Sequence, residues 1–181
     1  KLCNFDCVYC ECGWNKDGKG DGKFPSFTEI EKALQEKMSS LAAEGVNVDS
    51  ITFSGNGEPT IHPDFAKVID VTLRLRDEFF PKARVSVLSN ATMVGREEIA
   101  EALMRVDNPI LKVDASSDEL IRKINKPTGP YRLAEVVENL RKFEGRFVLQ
   151  TMFLRSPDFD TASAEALNAW MDIVRDIRPR E

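Results

Sequence analysis

The chain has 181 residues, 42% hydrophobic and 30% charged, enough for one globular domain with its own core. No run approaches the roughly 18 apolar residues of a membrane-spanning helix, and a net charge of -5 gives no global attraction for nucleic acid. The cysteines all fall between Cys3 and Cys12, a clustering that argues for free thiols in a reducing, cytoplasmic compartment rather than for dispersed disulfides.

The chain begins at Lys1-Leu2-Cys3 without an initiator Met, and we read it as a fragment: a single core domain over 1–181. The stretch Cys3-Asn4-Phe5-Asp6-Cys7-Val8-Tyr9-Cys10 sets three thiols at the spacing C-x3-C-x2-C. Thiols this close cannot all pair with one another, but their thiolates can converge on one soft metal centre. Two metal readings stand. On a four-iron cluster, three ligands leave one iron without a protein thiolate, open to chelation by a small molecule. On zinc, Cys12 would supply the fourth thiolate of a closed set, although zinc knuckles usually pair two short hooks across a longer segment. Trp14 then precedes a glycine- and charge-rich stretch, Asn15 to Lys23, that reads as a mobile surface loop. It lacks the Gly-Lys-Ser/Thr of a phosphate-binding loop.

Ser26 or Thr28 caps a helix whose Ile30, Ala33, Leu34, Met38 and Leu41 recur at helical spacing, with Gly45 as its stop. Ser50 to Phe53 reads as a short buried strand running into Ser54-Gly55-Asn56-Gly57-Glu58-Pro59-Thr60. Glycines there let backbone approach a ligand closely, and exposed amides and carbonyls suit an amino acid head group; the alternative is a plain tight turn. A bulky residue at Gly57 is expected to obstruct the ligand while sparing the metal. Pro63-Asp64 opens a helix carrying Phe65, Val68, Ile69, Leu73 and Leu75. Strands follow at Val85–Leu88, Ile110–Val113 and Arg146–Phe153, separated by helices near 97–105, 117–124 and 133–143, with a last helix starting at Thr161 or Ser163. This alternation implies a parallel sheet covered by helices. Ligands of such folds sit at the carboxyl ends of the strands, which here carry Ser54 to Thr60, Ser89-Asn90, Asp114 to Ser116 and Gln150 to Met152.

The cysteine loop, followed at the end of the next strand by Gly57-Glu58-Pro59, resembles the signature of the radical S-adenosylmethionine (SAM) superfamily, with Asn56 in place of the first glycine of its GGE motif. The resemblance implies a partial (β/α)6 TIM-like barrel, whose first and last strands would lie before Lys1 and after Glu181. It implies that Cys3, Cys7 and Cys10 hold a [4Fe-4S] cluster and that SAM chelates the open iron. Tyr9 would lie near the adenine, the turn Gly55-Asn56-Gly57-Glu58 would meet the methionine amino group, and Asn90, Asp114 and Ser116 would take its carboxylate and the ribose. The implied reaction is one-electron cleavage of SAM to methionine and a 5′-deoxyadenosyl radical that abstracts a substrate hydrogen, fed by a flavodoxin- or ferredoxin-like donor. The same two motifs look most like the wyosine-synthase-like iron–sulfur oxidoreductases, which makes tRNA a candidate substrate. Cys12 is then a bystander. His62 reads as a structural or surface residue rather than a base, and Lys126 faces either solvent or the substrate side. The rival from another class is a zinc-stapled binding module without catalysis, using Cys3, Cys7, Cys10 and Cys12.

Overall fold

The structure, a computed structural model, describes residues 1–13, 15 and 22–181; Trp14 and the part of the expected surface loop from 16 to 21 lie outside the described residues. Helix α1, Phe27–Ala43, opens on a reciprocal capping box between Ser26 and Glu29, an arrangement typically worth about 1 kcal/mol. It ends at Glu44 and Gly45, the latter at φ 70, the left-handed region that glycine occupies without strain.

Four strands follow: β1 (Ser50–Phe53), β2 (Arg84–Ser89), β3 (Asn108–Lys112) and β4 (Val148–Gln150). They pair in parallel, in the order β1-β2-β3-β4, as an open sheet rather than a closed barrel. The crossovers are α2 (Phe65–Phe79), α3 (Glu97–Arg105), and the pair α4 (Asp118–Ile124) and α5 (Leu133–Arg141). Helix α6 spans Ala164–Ile177 and is capped by Ser163. Central strands of a parallel sheet are covered on both faces, and Val85, Val87 and Leu111 are fully buried among Ile69, Leu103, Leu140, Phe143 and Phe147. A second cluster, Met38 with Val71, Leu75 and Phe80, seats α1 on α2.

Two departures from the sequence-based expectation concern the site. Strand β4 is shorter than Arg146–Phe153, because Thr151 Oγ1 donates to Val113 O (2.9 Å) and Met152 N to Asp114 Oδ1 (2.8 Å), drawing the backbone off the ladder. The segment beyond it forms an unexpected antiparallel hairpin, β5 (Arg155–Ser156) with β6 (Phe159–Asp160). Its Leu154 and Phe159 pack on Ala115, Ile121 and Ile124. All four parallel strands deliver their carboxyl ends to one side of the sheet, and the cysteine loop lies across that side. Leu2 forms a parallel bridge to Gly57 at the β1 end, while Arg180 N donates to Phe147 O (3.1 Å) beside β4.

Candidate metal and cofactor site

The cysteine loop is fastened from both flanks. On the β1 side, Leu2 N donates to Asn56 O (2.9 Å) and Glu58 N donates to Leu2 O (2.8 Å). On the other, the loop runs antiparallel to the α4–α5 connection: Val8 N donates to Ile124 O (2.8 Å), Asp6 N to Asn125 O (2.9 Å), and Thr128 N to Asn4 O (3.0 Å). Phe5 is buried edge-on to Tyr131, ring centroids 5.6 Å apart. Asn15, expected in a surface loop, is instead buried: its amide donates to Cys3 O (3.0 Å) and its backbone N to Asp6 Oδ1 (2.8 Å). These bonds satisfy backbone groups that a buried loop would otherwise leave unpaired.

Cys3, Cys7 and Cys10 are half-buried free thiols, and Cys12 is exposed. Each of these three sulfurs faces an N–H donor. Phe5 N lies 3.4 Å from Cys3 Sγ, Asn125 Nδ2 3.3 Å from Cys7 Sγ, and Lys1 Nζ 3.5 Å from Cys10 Sγ. Lys1 is held there by Asp6 (3.2 Å) and Gly13 O (2.8 Å). Cys12 Sγ turns to the glycine-rich segment and donates to Gly55 O (3.7 Å). Burial pushes the Cys3 thiol up to about 11 and raises that of Cys7 as well, so a bound metal must displace their protons. Three sulfurs with N–H donors aimed at them are suited to thiolate ligation of an iron–sulfur cluster, whose sulfurs accept such bonds. Among the described residues no three His, Cys, Asp or Glu side chains are grouped closely enough to hold a single metal ion, and this holds for Cys3, Cys7 and Cys10 as much as for a quartet with Cys12.

The other expected site residues divide into two sets. Gly55 and Asn56 are exposed at the β1 end beside a small cavity of about 210 Å³ that also involves Leu2, Gly57, Pro59 and His62. A larger apolar groove of about 730 Å³ lies between α1 and β1 and includes none of the expected site residues. Gly57 has a reason for being glycine that the sequence did not reveal: at φ 155, a Cβ there would stand 1.7 Å from Leu2 O. The expectation that a bulky residue at Gly57 spares the metal loop is therefore corrected, since the obstruction falls on the backbone leading into Cys3.

Glu58, Asn90 and Asp114 have side chains already committed to the protein. The Glu58 carboxylate is buried and accepts from Asn90 N (2.6 Å), Thr60 N (3.0 Å) and the Thr60 hydroxyl, tying the short 3-10 turn Pro59–Ile61 to the end of β2. Burial raises its carboxyl above the ordinary range, opposed by those donors. The Asn90 amide donates to Asn4 Oδ1 (2.7 Å) and stands 4.0 Å from Cys3 Sγ, while its Oδ1 accepts from Thr92. Asp114, at the end of β3, accepts from the Tyr9 hydroxyl, Asn125 Nδ2 (2.6 Å) and Met152 N (2.8 Å), with Lys112 Nζ at 3.4 Å. Tyr9 thus stands between Asp114 and Lys112, whose ammonium lies 5.1 Å from the ring centroid; burial first and Asp114 second push the phenol far up. Ser116 follows two residues on, half-buried.

His62 is structural, as expected: Nδ1 accepts from Asp64 N (3.0 Å), which leaves Nε2 as the donor to Pro25 O (2.9 Å). Lys126 sits at φ 45 in the connection that pairs with the loop, where its carbonyl accepts from Asp6 N at 3.2 Å. The sequence reading missed Asn125, Lys112, Asn4 and Asn15. Asn125 carried one signal, a polar residue between an amphipathic helix and Lys-Pro, but that is also how an ordinary helix ends.

Comparison with known proteins adds three findings. A family model described as the radical SAM superfamily matches residues 1–160. A UPF0026 protein of Methanocaldococcus jannaschii is 26% identical over 100% of this chain and 54% of its own length, and one of Synechocystis 27% identical over 99% and 63%. The chain thus spans between half and two thirds of these relatives. The crystal structure of BtrN in complex with AdoMet and 2-DOIA matches with a TM-score of 0.50 and 18% identity, covering 83% of this chain and 52% of BtrN. It shares the fold.

Proposed function

This chain belongs to the radical SAM superfamily, whose members bind a [4Fe-4S] cluster and SAM, and on that premise we propose that residues 1–181 are the core domain of an enzyme that cleaves SAM reductively, with Cys3, Cys7 and Cys10 as the cluster ligands. The observation that carries the assignment is the unequal treatment of the four thiols. Each of the three at family spacing faces an N–H donor, whereas Cys12 is exposed and bonded to Gly55 O.

The chemistry supplied by the bound cluster and SAM is one-electron cleavage of the sulfonium to methionine and a 5′-deoxyadenosyl radical able to abstract a substrate hydrogen. This chain's own residues bind, orient and exclude water. The turn Gly55-Asn56-Gly57 meets the methionine head group beside the small cavity through backbone groups other than Gly55 O, Asn56 O and Gly57 N, which are already bonded within the protein, and Tyr9 and Ser116 lie toward the adenosine. Glu58, Asn90 and Asp114 act mainly by holding the loop, since their polar atoms already have partners. A flavodoxin- or ferredoxin-like protein would supply the electron in a reducing cytoplasm. The resemblance to wyosine-synthase-like enzymes makes tRNA the first substrate to test.

The test is anaerobic reconstitution of the full-length protein, followed by iron and sulfide analysis and 5′-deoxyadenosine formation with dithionite. About four irons with matching sulfide and turnover are expected, lost in Cys7→Ala and kept in Cys12→Ala. Stoichiometric zinc that requires Cys12, with no SAM binding, would instead establish the zinc-stapled module.

A further inference from the structure

Cys7 Sγ receives a hydrogen bond from a side chain 118 residues away, the amide of Asn125 at 3.3 Å, and interacts with the Tyr9 hydroxyl as well. We propose that Asn125 is a positioning residue that sets the electron affinity of the cluster through a hydrogen bond to the Cys7 thiolate; this rests on Cys7 being a cluster ligand. Three observations fix the donor. Asn125 is 1% exposed, so its amide is shielded from competing water. Its Nδ2 lies 2.6 Å from Asp114 Oδ2 and 3.1 Å from the Tyr9 oxygen. A carboxylate only accepts, so it demands the NH2 group on that side, and the amide cannot turn its carbonyl toward Cys7. Finally, Asn125 Oδ1 is buried without a partner among the described residues. Leaving a buried carbonyl unsatisfied is costly. The arrangement points one N–H toward Asp114 and the adjacent Tyr9 oxygen and the other toward Cys7, at the expense of the acceptor face.

The backbone of the same residue anchors the loop, with Asn125 O accepting from Asp6 N at 2.9 Å. The side chain adds a different effect. Reduction puts one more negative charge on the cluster and its thiolates, so an N–H donor at sulfur binds the reduced state more strongly and raises the potential.

The experiment uses the full chain, reconstituted anaerobically. Asn125→Ala removes the donor. Asn125→Ser draws the polar atom back from Cys7 while leaving a hydroxyl in the buried network, so it is the milder of the two. The expected result is wild-type iron content in Asn125→Ser, with the reduction equilibrium of both variants moved about tenfold toward the oxidised cluster, about 59 mV for a one-electron couple. A wild-type potential at full iron content would overturn the tuning role. Loss of iron in both variants would also overturn it, in favour of a purely structural role. Full iron in Cys7→Ala would instead refute Cys7 as a ligand, a separate failure of the underlying reading.

Discussion

Gly57 and Leu2 are in backbone contact so close that a single added carbon at Gly57 would overlap the Leu2 carbonyl at 1.7 Å. The bridge between them is what joins the cysteine loop to the end of β1. Gly57→Ala is therefore expected to lower both stability and iron content, by about 1–3 kcal/mol for the strained backbone alone, as read by thermal melting and iron analysis. An alanine variant that melted normally, held full iron and lost only SAM affinity would show that the glycine serves the ligand instead.

Glu58 links the turn after β1 to the turn after β2. Truncation in Glu58→Ala strands the N–H groups of Asn90 and Thr60 in a buried place, at a cost of about 1–3 kcal/mol for each donor left unpaired. Glu58→Gln keeps the shape but offers an NH2 where one of those donors needs an acceptor. Urea denaturation should rank wild type above Gln and Gln above Ala. Equal stability of Gln and wild type would mean that one carboxylate oxygen is dispensable.

How far the sequence reaches is plain from these residues. The apolar spacing from Ile30 to Leu41 and the run Val85–Leu88 are local signals, and α1 and β2 form where they predict. The thiol spacing is local too, and so the cysteine loop was legible. What joins it to the sheet was not, because the partners are ordinary polar residues far away in sequence: Asn4 with Asn90, Asn15 with the Cys3 carbonyl, Cys7 with Asn125. The overlong fourth strand has the same origin. The run Arg146–Phe153 looks extended, but Asp114 captures the Met152 amide near its end, a competition that no local pattern encodes.

Helices α5 and α6 are clamped by a bidentate pair, Arg141 Nε to Asp176 Oδ1 at 3.0 Å and Nη2 to Asp176 Oδ2 at 2.6 Å. The guanidinium holds the Asp176 carboxyl below its ordinary value. A lowered folded-state pKa contributes stability that is present above the unfolded value and lost as pH falls through the folded one. Wild type should thus exceed Asp176→Asn by a small, constant margin near neutrality, small because the pair is exposed. The margin should close once pH drops below the ordinary carboxylate range. Denaturation curves of both proteins from pH 7 to 3 check this, and a margin that widened in acid would contradict it.

Asp114 receives more of the site than any other side chain described: Tyr9 and Asn125 on one oxygen, Met152 N and Lys112 on the other. It is 1% exposed, so removing it leaves buried donors and part of a positive charge without a counterpart. Breaking a buried pair in this way costs about 3–5 kcal/mol, and Asp114→Ala should lose stability on that scale. Asp114→Asn should lose less, because one oxygen still accepts from Met152, while its NH2 meets the Asn125 amide donor to donor. The two variants also separate holding the loop from binding SAM. If Asp114 holds the loop, iron retention should fall in the same order as stability, and SAM binding only with it. If it contacts SAM directly, Asp114→Asn should keep its iron and its melting temperature and lose SAM affinity alone. Calorimetry of SAM binding on iron-matched samples decides between them, and the four donors already gathered on this carboxylate lead us to expect the first result.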